Sequence, residues 1–301
     1  MSIDFAEFES IQLDVGPVQI HARTAGSGPP LLLLHGYPES SLMWRNVAPG
    51  LAENFTVVAT DLRGYGDSSA PADDDLHETY SKRSLAMDQV KVMELLGHNQ
   101  FMVAGHDRGG RVAHRLALDF PTRIKRVAVL DIVPTLHMFE SVDREMAQTY
   151  FHWFFLAQSN GVPEKLITAD PQAWIASRFS GRHLGPSAVE ASVIAEYTKT
   201  FRDPAHVAAT CADYRAAASI DLEHDRVDRA ANLRITAPLL VMWGQSSYVG
   251  KNFDSVEIWK GYADQVEGIQ APSDHYIPEE APSFTADVLS EFFSAELTRE
   301  N

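Results

Sequence analysis

Residues 105–109 of this chain read Gly-His-Asp-Arg-Gly, a frame in which Asp107 stands two positions from a glycine on either side. The apolar run 101–104 before it predicts a buried strand, and residues 112–119 after it have helical spacing, so Asp107 is expected on a sharp turn, the elbow, from strand to helix. A carboxylate there is ionised at neutral pH and can displace a leaving group from saturated carbon, whereas a serine would need a base. An aspartate that merely caps the helix is disfavoured by the flanking glycines. The frame therefore predicts alkyl transfer to Asp107.

A histidine that could act as the base, His275, lies in the segment 273–280, between the expected last strand and last helix. That is the expected place along the chain for a base that serves a nucleophile on such an elbow. Once Asp107 has formed an ester, His275 could deprotonate the water that attacks the ester carbonyl and regenerates the carboxylate. Most other histidines lack such a context and are expected to have surface or packing roles. This expectation covers His77, His98, His183, His206 and His224.

The base needs an acid that fixes its tautomer and stabilises the imidazolium. Two positions compete for this role: the end of the strand after the elbow helix, where Asp131 stands, and the loop after Gly244. That loop, residues 245–249, reads Gln-Ser-Ser-Tyr-Val and holds no acid, which favours Asp131. Asp254 and Asp274 remain as alternatives.

Two arginines, Arg108 and Arg111, flank the nucleophile at the start of the expected helix. Both could hold a substrate carboxylate, because a planar guanidinium fork suits a carboxylate better than an ammonium does. Alternatively, one of them could pair with a nearby acid. An unpaired buried cation is costly, so an arginine directly after the nucleophile argues against an apolar substrate. The pair therefore favours a small anionic substrate.

A second loop, residues 35–38 with the sequence His-Gly-Tyr-Pro, follows an apolar strand and should reach the same sheet edge as the elbow. The backbone N–H groups of Tyr37 and Arg108 are therefore candidates for an oxyanion hole. We expect His35 to orient this loop. The segment 61–68 is expected to be a rigid, hydrogen-bonded loop whose charges are structural rather than catalytic.

The order of the predicted elements indicates an α/β fold. After an opening hairpin, strand and helix patterns alternate, which implies a mostly parallel sheet flanked by helices. Residues 139–220 interrupt this rhythm with helical segments and no convincing core strand, which predicts an inserted helical cap. We therefore expect a core of residues 1–134 and 221–301 and a cap of residues 135–220. The predicted strands are 11–15, 18–24, 30–34, 55–60, 101–104, 127–131, 238–243 and 265–269, and the predicted core helices are 44–53, 84–96, 111–119, 256–262 and 280–293.

Composition argues against several classes of protein. The net charge of −16 opposes nucleic-acid binding, which needs a basic footprint. There is no apolar run of roughly 18 residues, and the acidic start, residues 1–9, is unlike a signal peptide, so neither a membrane span nor secretion is indicated. The single cysteine, Cys211, cannot form an internal disulfide, which fits a reducing compartment. We expect a cytoplasmic enzyme with one large core.

Several groups of residues together resemble the fluoroacetate dehalogenase (haloacetate dehalogenase) family of the α/β-hydrolase superfamily. They are the elbow 107–111, His152-Trp153 within the aromatic segment 150–158, Asp213-Tyr214-Arg215 in the expected cap, and the segments 221–225 and 278–282. The likeness runs over essentially the whole chain. It implies an α/β-hydrolase fold with a helical cap.

The resemblance also implies a reaction and a role for each position. The implied roles are nucleophile for Asp107, base for His275, acid for Asp131, substrate carboxylate clamp for Arg108 and Arg111, and halide pocket for His152, Trp153 and Tyr214. An imidazole N–H, an indole N–H and a phenol O–H are donors that can converge on fluoride, which leaves carbon poorly. The expected reaction converts fluoroacetate or chloroacetate to glycolate and halide through an aspartyl ester. No cofactor or metal is expected, and the family likeness implies a homodimer.

Two positions depart from the family's pattern. Gly110 stands where alanine would be expected, and Asp274 stands where glycine is usual and could perturb the pKa of His275. Neither departure removes a functional group.

Three rival functions are weighed against this expectation. An epoxide hydrolase also uses an elbow aspartate, but it needs two cap tyrosines and normally has tryptophan where Arg108 stands. A haloalkane dehalogenase would offer the two arginines no partner. A receptor that binds small acids without turnover on the same fold is disfavoured by the intact set of nucleophile, base and acid.

Overall fold

One sheet of eight strands forms the centre of the molecule. The computed structural model describes residues 3–179 and 189–295. The strands are β1 (Glu9–Asp14), β2 (Gln19–Ala25), β3 (Pro30–Leu34), β4 (Thr56–Thr60), β5 (Phe101–His106), β6 (Ile124–Leu130), β7 (Leu239–Gly244) and β8 (Val266–Ala271). They lie in the order β1-β2-β4-β3-β5-β6-β7-β8. The pairs β1–β2 and β2–β4 are antiparallel and all the others are parallel. The predicted mostly parallel sheet with an opening hairpin is confirmed.

Helices connect the strands and pack on the sheet. They are α1 (Ala48–Leu51), α2 (Lys82–Leu95), α3 (Asp107–Asp119), α4 (Thr135–Glu140), α5 (Arg144–Thr149), α6 (Phe151–Leu156), α7 (Val162–Ala169), α8 (Pro171–Phe179), α9 (Ala191–Thr200), α10 (Pro204–Ala217), α11 (Ile220–Ala230), α12 (Tyr248–Asn252), α13 (Ser255–Lys260), α14 (Ile277–Glu280) and α15 (Pro282–Ser294). Three short 3₁₀ turns add to these, at Phe5–Glu7, Ser41–Trp44 and Glu78–Tyr80. Of the helices in the described part of the chain, none has the length and apolar character needed to cross a membrane.

Prolines divide or shorten two of the predicted helices. The helix expected over 44–53 is instead a 3₁₀ turn followed by α1, which begins only at Ala48 and has Pro49 in its first turn. The helix expected over 280–293 is divided into α14 and α15 at Ala281, which has φ −136° and ψ 57°. A proline disfavours helical backbone at the residue before it and lacks the N–H that a continuous helix needs. The two helices were predicted from the spacing of apolar residues, which does not include this effect of proline.

The central strands are buried on both faces, as expected of parallel strands covered by helices. In β3, Leu32 and Leu34 pack in the cluster that includes α2 and α3, while Leu31 and Leu33 pack in the cluster that includes α1 and α15. All four side chains are fully buried. Because each buried leucine contributes about 1.5–3 kcal/mol, these strands form a rigid base for the loops at their ends.

The elbow at the end of β5 depends on close backbone contacts. A Cβ at Gly105 would overlap the carbonyl oxygen of Gly109, and a Cβ at Gly109 would lie 2.5 Å from the carbonyl oxygen of His35. The Gly109 N–H donates to that same oxygen at 2.8 Å. Asp107 has φ 45°, a conformation that costs a residue with a Cβ about 1–3 kcal/mol. The glycines allow this tight turn, which places Asp107 where strand and helix meet.

Gly110, the departure noted in the elbow sequence, is also tightly enclosed. A Cβ there would lie 2.9 Å from both the carbonyl oxygen of Gly105 and Cδ1 of Ile132. The isoleucine side chain thus occupies the space that a methyl group at position 110 would need. Glycine at this position fits the neighbouring Ile132.

Between β6 and β7 the chain is helical, and described residues 131–234 contain no strand. Helix α11 is tied to the elbow helix α3, because Arg115 donates to Asp225 at 2.8 Å. Asp225 also accepts the backbone N–H of Leu136 at 3.3 Å, which ties the start of α4 to the same point. The helical region is thus anchored near both of its ends. Its extent as a cap of residues 135–220 stays a prediction.

We expect Gly105→Ala to destabilise the fold by about 1–3 kcal/mol or more, because the added methyl group would meet backbone, which cannot yield as a flexible side chain does. Gly50→Ala is the matched control, since the nearest atom to its added Cβ is Cβ of Ala286 at 3.8 Å. Denaturant unfolding followed by circular dichroism measures both. Equal midpoints for the two variants would contradict the packing described for the elbow.

Candidate active site

Asp107 lies at the N-terminus of α3 with 5% of its surface exposed. Its Oδ2 accepts the backbone N–H of Tyr37 at 3.1 Å. Burial raises the pKa of the Asp107 carboxyl, but the electrostatic effect of the basic side chains nearby, His275 and Arg108 above all, outweighs burial and lowers the pKa overall. The carboxylate is therefore ionised at neutral pH, as a nucleophile requires.

The imidazole of His275 is paired with Asp131. Its Nδ1 lies 2.7 Å from Oδ2 of Asp131, whose other oxygen accepts the Gly244 N–H at 3.0 Å and the Ser247 hydroxyl at 2.6 Å. Because a carboxylate can only accept, Nδ1 carries the proton and Nε2 is left with the basic lone pair. The structure thus brings together the residues expected as base and acid. Ser247, in the loop that holds no acid, contributes through its hydroxyl.

The two alternative acids have other surroundings. Asp254 caps α13, where it accepts a backbone N–H of the first turn at 3.1 Å. Asp274 is buried beside His275 in the chain, and its backbone N–H and that of Tyr276 both donate to the carboxylate of Glu280. Glu280 therefore holds the loop on both sides of the base. The sequence analysis assigned Glu280 no role, although its place a few residues after the base was a usable signal.

His106 braces the same loop from the strand side. Its Nε2 donates to the carbonyl oxygen of His275 at 2.7 Å, and its Nδ1 lies 3.3 Å from the Glu39 carboxylate. Burial lowers the pKa of His106, but Glu39 and the ionised Asp107 raise it to about 9. The charged imidazolium adds to the positive surroundings of Asp107. Sequence reasoning missed this contact because it joins residues 169 positions apart.

Both arginines of the elbow helix are buried, but their partners differ. Arg108 donates through Nε and Nη2 to the two carboxylate oxygens of Asp213, at 2.8 Å each. Arg111 donates through Nη1 to the carbonyl oxygen of Val133 at 3.1 Å and to the Thr135 hydroxyl at 3.0 Å, and it pairs with no carboxylate of the described residues. Burial and the charge of Arg108 lower the pKa of Arg111 to about 10, so it remains a cation at neutral pH. One arginine therefore pairs with an acid, and the other has no anionic partner there.

His152, Trp153 and Tyr214, from α6 and α10, meet against these arginines. The Tyr214 ring centroid lies 5.7 Å from that of His152 and 6.1 Å from that of Trp153. The Arg108 guanidinium carbon is 4.3 Å from the Tyr214 ring centroid, and that of Arg111 is 4.7 Å from the Trp153 ring centroid. Nε1 of Trp153 and the Tyr214 hydroxyl are buried and have no hydrogen-bond partner in the part of the chain that the structure describes. The cluster thus holds unused donors beside the elbow.

The loop after β3 approaches the nucleophile, as expected of two loops at one sheet edge. The Tyr37 N–H already donates to Asp107, the contact expected of an oxyanion-hole donor. His35 orients this loop, since its Nε2 accepts the backbone N–H of Leu62 at 3.0 Å. The role of the second candidate donor, the Arg108 N–H, stays a prediction.

Two further expectations concern residues outside this cluster. In the loop 61–68, Asp61 accepts the backbone N–H groups of Ser41 and Asp67 at 2.7 and 2.9 Å. Its charge therefore serves the loop structure, as expected. His183, expected at the surface or in packing, lies outside the described residues.

Comparison with known proteins shows the class to which this chain belongs. The model of the alpha/beta hydrolase fold family matches residues 29–282. A solved structure of a protein from Nostoc sp PCC 7120 superimposes with a TM-score of 0.92 at 48% identity, covering 96% of this chain and 99% of that chain. The chain therefore belongs to the alpha/beta hydrolase fold family, and the predicted fold class is confirmed.

Two curated relatives are similar to this chain over nearly its whole length. A fluoroacetate dehalogenase of Burkholderia sp is 42% identical over 291 residues, covering 96% of this chain and 95% of the relative. A soluble epoxide hydrolase of Corynebacterium sp. (strain C12) is 34% identical, covering 94% of this chain and 96% of the relative. The resemblance to fluoroacetate dehalogenases noted in the motifs is confirmed. Both relatives are hydrolases, but their names give two different reactions.

We expect Asp131→Asn to lower turnover of chloroacetate, the substrate class implied by the resemblance, by about a thousandfold or more. An amide at this position can donate a hydrogen bond, which favours the wrong imidazole tautomer and no longer stabilises the imidazolium. Asp254→Asn is the control, because asparagine caps a helix about as well as aspartate and the change should stay within about twofold. Steady-state chloride release measures both. Similar losses in the two variants would contradict the pairing of His275 with Asp131.

Proposed function

We propose that this hydrolase converts 2-haloacetates, fluoroacetate and chloroacetate among them, to glycolate and halide through an ester on Asp107. One observation carries the proposal: the Arg111 guanidinium is buried within electrostatic reach of the Asp107 carboxylate but forms no ion pair with a carboxylate of the described residues, and its Nε has no hydrogen-bond partner among them. A buried cation without a paired carboxylate is costly, so the site favours a ligand that supplies one. A haloacetate supplies that charge two bonds from the carbon that is attacked.

In the first step, a carboxylate oxygen of Asp107 attacks the carbon that bears the halogen, and halide leaves from the opposite side with inversion at carbon. Arg111 and the remaining Nη1 of Arg108 hold the substrate carboxylate. Nε of Arg111 and Nη1 of Arg108 are buried and have no hydrogen-bond partner among the residues that the structure describes, which supports this role. Fixing the carboxylate orients the reacting carbon toward Asp107.

The leaving halide is received by the aromatic cluster. The indole N–H of Trp153 and the hydroxyl of Tyr214 have no acceptor in the described ranges 3–179 and 189–295, and His152 lies 5.7 Å from Tyr214 between ring centroids. Fluoride carries a concentrated charge that hydrogen bonds stabilise as the bond to carbon breaks. If each donor acts like one donor of an oxyanion hole, it contributes on the order of 3 kcal/mol to the transition state.

In the second step, Nε2 of His275 takes a proton from water, and the resulting hydroxide attacks the ester carbonyl of Asp107. Asp131 stabilises the imidazolium, and the Tyr37 N–H stabilises the oxyanion. The bond between the ester oxygen and the carbon that came from the substrate stays intact. The bond between that oxygen and the carbonyl carbon of Asp107 breaks. Glycolate leaves with its proton supplied by the imidazolium. The Asp107 carboxyl now has one oxygen from water, and it releases the second proton of that water to solvent to become a carboxylate again. Each step is assigned to a side chain or a backbone N–H, so the proposal invokes no cofactor.

An epoxide hydrolase is the second candidate, because one relative is named as such and two tyrosines border the site. Tyr150 lies 6.2 Å from His275 between ring centroids, and Tyr214 lies 6.1 Å from Trp153. Two such hydroxyls could protonate an epoxide oxygen. A neutral epoxide would, however, offer no anionic acceptor to Nε of Arg111 and Nη1 of Arg108, which are buried without a hydrogen-bond partner among the described residues, and this favours the haloacetate.

The proposal includes an oligomeric state, a location and a partner. A homodimer follows from the family likeness, and a cytoplasmic location follows from the composition and the single cysteine. The proposed partner is a small anionic haloacid, and neither nucleic acid nor membrane is part of the proposal.

Parallel assays with fluoroacetate, chloroacetate and a neutral epoxide test the function, with Asp107→Asn as the blank. We expect halide release from both haloacetates and none from the variant. Chloride release alone would keep the mechanism and weaken the assignment of the halide pocket. Diol formation from the epoxide without halide release would contradict the proposal in favour of the epoxide hydrolase.

Trp153→Phe tests the halide pocket, because it removes one N–H while keeping an aromatic ring beside Arg111. We expect fluoride release from fluoroacetate to fall by about a hundredfold, the effect of losing one such donor. Chloride release should fall by only about tenfold, since chloride needs less help from hydrogen bonds. Trp44→Phe, in the core cluster that contains α1, is the control and should leave the ratio of the two rates unchanged. Equal losses for both halides would speak against the assignment.

A further inference from the structure

Asp213 is a fully buried carboxylate that accepts hydrogen bonds from three side chains. Its Oδ2 accepts from Nε of Arg108 at 2.8 Å and from the Tyr65 hydroxyl at 2.9 Å. Its Oδ1 accepts from Nη2 of Arg108 at 2.8 Å and from Nζ of Lys82. Neither the sequence motifs nor the steps described above assign this residue a role.

The charges around Asp213 balance among themselves. Lys82 also lies 3.4 Å from Asp221, whose other oxygen accepts the Lys82 backbone N–H at 2.8 Å. Two cations and two carboxylates, Arg108, Lys82, Asp213 and Asp221, thus form a neutral group in which each side chain is at most 5% exposed. Burial raises the pKa of Asp213, but Arg108 and Lys82 outweigh it and hold the pKa well below the usual range. The carboxylate is therefore a permanent anion.

We propose that Asp213 is a positioning residue, which holds the Arg108 guanidinium by its Nε–Nη2 edge so that only Nη1 is presented to the substrate carboxylate. This inference rests on the proposed function. Without Asp213, the anion nearest to Arg108 along the chain is the nucleophile itself, and an ion pair with Arg108 would occupy the oxygen that must attack. Asp213 therefore keeps the guanidinium away from Asp107 as well as aligned for the ligand.

The same contact positions the halide pocket. Tyr214 follows Asp213 in α10, and its ring centroid lies 4.3 Å from the Arg108 guanidinium carbon. The Arg108–Asp213 pair therefore docks α10 on the elbow helix and brings the Tyr214 hydroxyl to its place beside the nucleophile. One buried pair thus sets the geometry of both the carboxylate clamp and a halide donor.

Stability gives no sufficient reason for a buried charged group of this size. Desolvation of buried ions consumes most of their mutual attraction, and apolar side chains of similar volume often stabilise a fold equally well. Alignment of a guanidinium fork is something that apolar packing does not provide, because it depends on two parallel hydrogen bonds. This contrast favours a positioning role for Asp213.

The test compares Asp213→Asn with the wild-type enzyme in steady-state hydrolysis of chloroacetate and in calorimetric binding of acetate, a carboxylate that cannot react. We expect KM for chloroacetate to rise about tenfold or more, the effect of losing one charge-assisted hydrogen bond, and kcat to fall as well, because Arg108 is then free to pair with Asp107. The dissociation constant for acetate should rise in parallel. Unchanged KM and unchanged acetate binding in the variant would overturn the inference.

Asp88→Asn is the matched control, since Asp88 holds Arg63 by the same two-bond geometry, at 2.6 and 2.5 Å, in a buried pair. It should lower the melting temperature but leave KM within about twofold, because a merely structural pair does not contact the ligand site. If Asp213→Asn gives the same pattern as Asp88→Asn, the inference is wrong.

Tyr65→Phe serves if Asp213→Asn does not fold, because it removes only one hydrogen bond from Asp213. We expect a rise in KM of about threefold with little loss of stability, and no rise would contradict the inference. Failure of the proposed function has a different signature: the wild-type enzyme would release no halide, while acetate binding would still report whether Asp213 positions Arg108.

Discussion

Asp107 has to remain an anion although it is buried, and this requirement organises the charges around it. Burial alone favours the neutral carboxyl, so the site needs basic neighbours. Those neighbours are buried as well, and most have a carboxylate of their own that keeps them from quenching the nucleophile. The pairs are Glu39 with His106, Asp131 with His275, and Asp213 with Arg108. Arg111 has no such partner among the described residues, and the proposed substrate carboxylate supplies one.

Residues at strand ends were predictable from the sequence because parallel strands bring their carboxyl ends to one edge. The elbow, the pairing of His275 with Asp131 and the Tyr37 contact with Asp107 all follow from that rule. The glycines around the elbow also predicted a tight turn at Asp107, because such a turn leaves no room for a Cβ at their positions. The mostly parallel character of the sheet followed from alternating strand and helix patterns.

Contacts between distant segments were not predictable in the same way. Asp213 lies 105 positions from Arg108, and nothing in either local sequence specifies that they meet. The sequence left open that one arginine would pair with an acid, but it indicated neither which arginine nor which acid. His106, which holds the loop of the base, was missed because its partner is a backbone atom of a distant segment, whose position depends on the tertiary fold.

Hydrolysis of a haloacetate and hydrolysis of an epoxide differ in the charge that the site must bind. Both reactions use an aspartyl ester, and the same base and acid would hydrolyse either ester. A haloacetate carries a negative charge, which two buried arginines can bind. A neutral epoxide carries no such charge. The donors of Trp153 and Tyr214, which have no partner among the described residues, add a place for the proposed leaving anion.

Trapping the ester on Asp107 would show directly that the reaction is covalent. His275→Gln should still be alkylated by chloroacetate but should not hydrolyse the ester, because the base is gone. Mass spectrometry of the intact variant and of its peptides would then show one added carboxymethyl group, located on Asp107. Chloride release by the wild-type enzyme with no adduct on Asp107 in the variant would contradict the covalent mechanism.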